Sequence, residues 1–328
     1  MKLAILGTGF IVNEGALPAL KNVPEIEVAA IFARNKDKAD DLAAKNEIPA
    51  VYTDYDELLS NPEIEFVYVG LVNSVHYEYT KRALLAGKNV IVEKPFASTA
   101  AEVAELRDLA LSKNLYVFEA VTLRYLPNFA AIRAALPKLG KIRAVVANYS
   151  QYSSRYDKYL AGEVLPAFDP KLSGGALYDI NIYNLNLIIG LFGAPAEVQY
   201  TANIGFNGID TSGLVTMKYD GFFATALGAK DSESRGFAVI QGEKGYIKVL
   251  GAPNELNAFK LHLRNSGETT KYELNKYSHR MVHEFKEFAR IYHEKNFDEM
   301  RGWLDVSLAV IQTAEAARKQ AGIIFPCD

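Results

Sequence analysis

Three short stretches carry residue types suited to chemistry. The first is Val90 to Phe96, VIVEKPF, where a β-branched apolar run ends in a carboxylate, an amine and a proline. Such a run has the composition of a central strand in a parallel sheet, and ligands of these sheets gather at strand carboxyl ends. Glu93 and Lys94 therefore emerge where a ligand would lie. The second stretch is Gly7-Thr8-Gly9, directly after the strand-like Lys2 to Leu6 and ahead of a segment that turns helical through Ala19 and Leu20. Such a glycine turn lets backbone approach a pyrophosphate, and the N–H groups of the following helix favour the anion. Val12 stands where a G-x-G-x-x-G motif has its third glycine. The third stretch, Ser173 to Asn184, puts Gly174-Gly175 before a helix and Asp179 four residues ahead of Tyr183. That spacing sets a carboxylate and a phenol on one helix face.

Each stretch alone also has an ordinary structural reading: a solvated Glu-Lys pair, a plain αβ turn, a glycine-started helix with a core tyrosine. The elements around them decide. Glu27 to Phe32 reads as a second strand, with Ala33-Arg34-Asn35 at its tip. An acid at this place serves the ribose hydroxyls of NAD, whereas a cation suits the 2′-phosphate of NADP. This tip has no acid; it has Arg34, followed by Lys36 and Lys38 on the helix Asn35 to Asn46. The pattern favours NADP over NAD, although three surface cations also fit a merely solvated helix face. Val51-Tyr52, Phe66 to Leu71, the VIVEKPF run and Leu115 to Phe118 continue the strands. Between them lie helices over Asp54 to Leu59, from Asn73-Ser74-Val75-His76 to about Ala86, and over Thr99 to Lys113. Asp54 or Thr53 caps the first of these three helices, Gly87 closes the second, and Ser98 or Thr99 caps the third. Strand and helix alternating six times in about 120 residues predict a doubly wound parallel sheet.

After residue 120 the pattern changes. Phe129 to Leu136 and Tyr178 to Leu191 read as helices, and strand-like runs follow from Arg143 to Leu274, several joined by short glycine turns such as Asp220-Gly221. An antiparallel sheet is expected, with helices over Ser278 to Glu294 and from about Trp303 to Gln320 closing the chain. The boundary falls near residue 122, giving a dinucleotide-binding domain over 1–122 and an α+β substrate-binding and oligomerisation domain over 123–328.

Composition narrows the partners. With 36 basic and 39 acidic residues among 328, the net charge of −3 gives no electrostatic case for nucleic acid or an anionic membrane. A lone Cys327 cannot form an internal disulfide, and no apolar run reaches the length of a membrane span. Met1 leads straight into a strand, so a cytoplasmic protein acting on a small molecule is expected. His262, His279, His283 and His293 lack neighbours that would complete a metal site, and none is expected.

The glycine turn, Asn73 and His76 in N-S-V-H, A-L-L-A-G-K-N-V-I-V-E-K-P-F, Arg124-Tyr125-Leu126-Pro127 and G-G-A-L-Y-D-I-N-I-Y together resemble the glucose–fructose oxidoreductase, inositol dehydrogenase and MocA family, in the right order along the whole chain. Tyr183, where many inositol dehydrogenases have His, resembles the branch of dihydrodiol and xylose dehydrogenases, which commonly uses NADP. The resemblance implies an α/β protein with an N-terminal Rossmann sheet and an α+β domain with a large, mostly antiparallel open sheet, through which family members pair as homodimers or higher oligomers. It implies hydride transfer between NADP, or possibly NAD, and a sugar, polyol or related small molecule, with Lys94, Tyr183 and Asp179 catalytic. A free phenol ionises near pH ~10, and an adjacent ammonium favours its ionised form, which suits a Lys-Tyr pair to moving a hydroxyl proton. Cofactor contacts are expected from Gly7, Thr8, Gly9, Phe10, Ile11, Ala33, Arg34, Lys38, Leu71, Asn73, His76, Glu93 and Lys94. Arg124, Arg155, Tyr156 and Asn184 are expected at the substrate. Three departures stand out: Asn181 for a glycine, Val72 for a proline, and Thr122 where dihydrodiol dehydrogenases share a tryptophan. The last disfavours an aromatic dihydrodiol, for which a ring platform is the natural partner. An NAD-dependent polyol dehydrogenase and a non-catalytic dinucleotide-binding sensor of the same fold are the alternatives.

Overall fold

A computed structural model describes residues 1–328, and its packing divides them into two compact units: residues 1–120 with 279–307, and residues 121–278 with 308–328. The cut near residue 122 marks where the chain passes from one unit to the other; the first unit also takes back a segment near the end of the chain.

In the first unit, six strands run β1 (Lys2–Leu6), β2 (Glu27–Phe32), β3 (Ala50–Tyr52), β4 (Phe66–Val69), β5 (Asn89–Glu93) and β6 (Val117–Ala120). They form one sheet in the order β3-β2-β1-β4-β5-β6 with every pair parallel, the doubly wound arrangement. The sixth strand begins two residues later than its apolar run suggests and takes in Glu119. Helices α1 (Leu17–Leu20), α2 (Lys36–Asn46), α3 (Tyr55–Ser60), α4 (His76–Leu85) and α5 (Ala100–Ser112) make the crossovers. Their starts follow the capping chemistry: the side chain of Asp54 accepts from the N–H groups of Asp56 and Glu57, and Thr99 and Glu102 form a reciprocal capping box. The returning segment adds α9 (Met281–His293) to this unit. Phe288 of α9 stacks on Phe118 at 4.7 Å, and Phe285 meets Tyr68 at 5.9 Å, so a strongly amphipathic helix buries its aromatic edge on the sheet.

The second unit holds α6 (Pro127–Ala135), β7 (Ile142–Ser150), α7 (Tyr156–Leu160), α8 (Ile182–Phe192) and then β8 (Glu197–Ile204), β9 (Asp210–Tyr219), β10 (Phe222–Ala229), β11 (Phe237–Gly242), β12 (Gly245–Leu250), β13 (Ala258–Leu263) and β14 (Thr269–Tyr272). Eight strands make a sheet ordered β14-β13-β12-β11-β7-β10-β9-β8. All neighbours are antiparallel except β7 and β10, which run parallel because the chain leaves β7 and returns through α7, α8 and the hairpin β8-β9. One face is buried, with Ala224 and Ala226 fully covered, while Leu214, Phe223, Leu227 and Tyr246 stay exposed on the other. The last helix, α10 (Phe297–Gln320), starts six residues before the expected Trp303. No helix is long and apolar enough to cross a membrane.

Candidate active site

The parallel sheet reverses its strand order between β1 and β4, and the glycine turn lies at that point. Gly7 has φ +103°, a conformation that suits glycine, and a Cβ there would come within 2.7 Å of the Gly70 carbonyl oxygen. The Gly7 N–H donates to Phe32 O at 2.9 Å, tying the turn to β2. Gly70, at the end of β4, escaped the sequence reading. A Cβ on it would meet Val12 Cγ2 at 2.6 Å, so the bare backbone at 70 makes room for the valine that replaces the third glycine. Around Gly9 a Cβ would meet nothing within 4 Å, leaving the turn open, and Phe10 is 72% exposed. Thr8 and Ile11 are half-buried.

At the tip of β2, Arg34 and Lys38 are exposed and enter no ion pair, whereas Lys36 is engaged by Asp40 at 2.6 Å. Asn35 caps α2 by accepting from the Lys38 N–H at 3.0 Å, which fixes the chain between the two cations. Ala33 is buried, its N–H donating to Tyr52 O at 3.2 Å. The open glycine turn and these two cations fit a dinucleotide phosphate chain and a further phosphate beyond the ribose, on a β1-α1-β2 unit of the required order.

The end of β5 is held from three sides. Glu93 is buried and accepts from the Tyr68 hydroxyl at 2.5 Å. Burial pushes its carboxyl above the ordinary range, against the pull of Tyr68, Lys94 and Arg280. The Lys94–Pro95 peptide is cis. The Phe96 N–H donates to Glu119 at 2.9 Å, and the other oxygen of Glu119 accepts from the Ser307 hydroxyl at 2.6 Å. His76 has no exposed surface: Nδ1 lies 2.8 Å from Pro95 O and Nε2 3.1 Å from Leu71 O. Two residues expected at the cofactor also have internal partners. Both ring nitrogens of His76 are committed to backbone, and the carboxylate of Glu93 is buried against Tyr68, so each side chain positions the turn. Lys94 itself is half-buried, as are Leu71 and Asn73, the latter opening a short 3-10 turn ahead of α4. Tyr68 and Glu119 were not foreseen; a lone carboxylate inside the apolar run Tyr116 to Val121 is the signal that would have found Glu119.

In the second unit, Asp179 lies in a π-helical turn, Leu177–Asn181, that leads into α8, and Tyr183 is the second residue of α8. Both side chains are half-buried. The paired glycines have a steric reason. Gly175 has φ +100°, and a Cβ there would run into the carboxylate of Asp210, while one on Gly174 would sit 2.6 Å from Pro166 O. Asp210 accepts from the Leu177 N–H at 2.6 Å and the Tyr200 hydroxyl at 2.7 Å, capping the turn from β9. Burial raises the carboxyl of Asp210. Asp179 is ion-paired with Lys230, a residue the sequence did not single out. Tyr183 packs edge-on against Tyr149 at 5.9 Å, and the Tyr149 hydroxyl donates to Gln151 at 3.1 Å. Tyr149 and Gln151 also line a cavity of about 490 Å³ with Ser150, Glu233, Arg235 and Glu255.

Asn181 fills the space beside Gly228 and donates to Ala226 O at 2.9 Å, which accounts for the departure from glycine at 181. Two residues expected at the substrate are buried. Asn184 is fully buried and donates to Asn181 Oδ1 at 2.7 Å and Leu227 O at 2.8 Å. Arg124 is buried and donates to Asn186. Both belong to the interior of the second unit. Arg155 is exposed without an ion pair, and Tyr156 is half-buried with its ring 5.7 Å from Phe168.

The family follows from these features and from comparison with known proteins. Residues 1–121 match the family described as "Oxidoreductase family, NAD-binding Rossmann fold", and residues 130–248 match the GFO/IDH/MocA C-terminal domain. The chain belongs to the GFO/IDH/MocA oxidoreductase family. It is 33% identical to scyllo-inositol 2-dehydrogenase (NADP(+)) IolU of Bacillus subtilis (strain 168), covering 100% of this chain and 99% of that protein. It is 31% identical over 256 residues to trans-1,2-dihydrobenzene-1,2-diol dehydrogenase of Xenopus tropicalis, covering 76% and 74%. Among solved structures, KijD10, a 3-ketoreductase from Actinomadura kijaniata in complex with NADP and TDP-benzene, shares the fold with a TM-score of 0.81 at 21% identity, covering 98% of this chain and 97% of that one.

Proposed function

We propose that this oxidoreductase transfers a hydride between NADP(H) and a CH-OH or carbonyl carbon of a sugar, polyol or related small molecule. What supports the reading is that this chain of the family carries both Lys94, at the end of β5, and Tyr183, at the start of α8, each half-buried within its own unit. Residues 1–122 hold the dinucleotide and residues 123–328 the substrate. When bound, the cofactor supplies the hydride acceptor or donor. Tyr183 takes the hydroxyl proton during oxidation and returns it during reduction. Lys94 donates a hydrogen bond to the reacting oxygen as charge develops there. Asp179 serves beside Tyr183. Gly7, Thr8, Gly9 and the first N–H groups of the following turn take the pyrophosphate, with Phe10, Ile11, Ala33, Leu71 and Asn73 lining it. Arg34 and Lys38 take the 2′-phosphate, which supports NADP over NAD, as does the NADP(+) in the name of the Bacillus relative. A cavity lined by Gln151, Glu233, Arg235 and Glu255 supports a hydroxyl-rich substrate rather than an aromatic diol.

The test is reduction of NADP and of NAD followed at 340 nm against a panel of inositols, aldoses, other polyols and dihydrodiols. We expect turnover with a polyol or sugar and NADP, falling by about 10²–10⁴-fold in Lys94→Ala and in Tyr183→Phe with NADP binding retained. Wild-type turnover in either variant removes that residue from the reaction; tight dinucleotide binding without turnover across the panel replaces the enzyme by a sensor. The exposed sheet face bearing Leu214, Phe223, Leu227 and Tyr246 supports pairing with a second copy. Sedimentation should then give twice the chain mass or more, and a monomer at micromolar concentration rejects the pairing.

A further inference from the structure

Lys230 opens the bend where β10 hands over to the loop before β11, one residue past the end of β10 at Ala229. Its side chain is only 4% exposed, and its ammonium has three neighbours: the carboxylate of Asp179, the Ala167 carbonyl at 3.3 Å and the face of the Phe168 ring at 4.7 Å. The backbone on either side is tied down, with the Lys230 N–H donating to Thr211 O at 2.9 Å and the Ser153 N–H donating to Lys230 O at 2.9 Å. The pair is asymmetric. The Asp179 side chain is 35% exposed and open to water, whereas the lysine is enclosed. Enclosing an ammonium is costly, and a methionine of similar length would fill the same space without that cost. Asp179 needs no lysine to be solvated, so the arrangement is poorly accounted for by stability. It does fix one carboxylate, in one direction, a helical turn before Tyr183.

We propose that Lys230 is a positioning residue of the reaction centre, an enclosed ammonium that orients the Asp179 carboxylate beside the proton-transferring Tyr183. The role rests on the proposed reaction, and the pairing itself can be read without it. Other titratable groups close to the pair are Asp210 beneath the π-helical turn, Tyr200 bonded to it, Asp231 next in sequence, and Tyr183. Tyr149 stands behind Tyr183. With Lys230 gone, Asp179 loses the cation of this pair and protonates at higher pH.

The experiment uses Lys230→Met, Lys230→Arg, Asp179→Asn and the Lys230→Met/Asp179→Asn double variant of the full chain. Lys230→Met should lower kcat about tenfold or more with KM for NADP unchanged, and move the acid limb of the kcat profile to higher pH. Lys230→Arg should recover part of the rate, and Lys230→Met should add nothing in the Asp179→Asn background. Unchanged kcat, or a loss equally large in the Asp179→Asn background, overturns the proposal. A second readout is independent of turnover: the ¹³Cγ titration of Asp179, identified by its disappearance in Asp179→Asn. Its midpoint should rise by at least about one pH unit in Lys230→Met. An unmoved midpoint overturns the proposal even where the wild type is active. A wild type inactive across the panel sinks the proposed reaction, and a moved midpoint then leaves Lys230 as a partner of Asp179 with no reaction to position it for, which overturns the role.

Discussion

The two regions that carry the candidate chemistry are held in opposite ways. The turn after β5 is clamped by groups withdrawn from water: Tyr68 on Glu93, Glu119 on the Phe96 N–H, His76 on Pro95 O. Every clamp but Ser307 comes from a strand end or helix start of the same parallel sheet, and each meets backbone or a buried carboxylate. Around Asp179 and Tyr183 the support is a cation and a carboxylate reaching in from β9 and the end of β10, set against side chains that remain half open. The first arrangement couples the reacting group to the stability of its unit. The second tunes direction and charge at a group that water can still reach.

The sharpest way to break this contrast is Glu119→Ala. It leaves the Phe96 N–H buried without this acceptor and takes the Glu119 carboxylate away from the Ser307 hydroxyl. The expected cost is about 2–3 kcal/mol of unfolding free energy, together with lower turnover, because the backbone carrying Lys94 loses an anchor. Urea unfolding checks it. A variant as stable as the wild type would mean that the turn holds itself, and the two regions would no longer differ in kind.

That contrast also explains what the sequence makes legible. The first region is written locally: strand, glycine turn, cap and strand tip follow one another within about 120 residues, and the parallel order follows from their alternation. The turn Gly7-Thr8-Gly9, Arg34 and the Thr99 cap stand where their types and spacing place them. In the second region the spacing of Asp179 and Tyr183 is visible in the sequence, while their support is not. Lys230 lies 51 positions from Asp179, and Asp210 lies 33 from Leu177. No local pattern marks either, because a register between distant strands decides which side chain meets the helix. The internal partners of three motif residues are hidden for a related reason. His76, Arg124 and Asn184 are polar residues at motif positions, and the sequence carries no sign that each meets internal partners. Gly70 was hidden because its role appears only once Val12 is packed against it.

Arg34→Ala sharpens the comparison at the open end of the first unit, where nothing is clamped. The guanidinium is exposed and unpaired, so its removal should leave stability within about 0.5 kcal/mol. NADP affinity should fall about tenfold or more, as a charge-assisted contact to a phosphate is lost, while NAD affinity changes little. Isothermal titration with both dinucleotides reads the difference. Equal losses for the two would move the 2′-phosphate contact elsewhere, with Lys38 as the next candidate.

The smallest effect belongs to His76. Its two nitrogens face two carbonyl oxygens, yet a neutral imidazole has one N–H and can donate to only one of them. A second proton would satisfy both contacts and place a charge where no water reaches. Burial wins and holds the pKa of His76 below its ordinary value, against the upward pull of the two carbonyls. In the unfolded chain the ring takes up its proton near pH ~6.5. Below that pH the unfolded state binds a proton that the folded state refuses, so stability falls on acidification, by up to about 1.4 kcal/mol per pH unit, until the folded ring titrates as well. Above it the term vanishes. His76→Gln keeps an amide donor for one carbonyl and removes the titration, so the stability difference between wild type and variant should narrow as pH drops from 7.5 to 5.5. Urea midpoints at several pH values measure that difference directly, since the carboxylates and other histidines contribute alike to both proteins. A constant difference would show that the ring accepts its second proton within the fold, and the clamp on Pro95 would then be an ionic one, like the pair formed by Asp179 and Lys230.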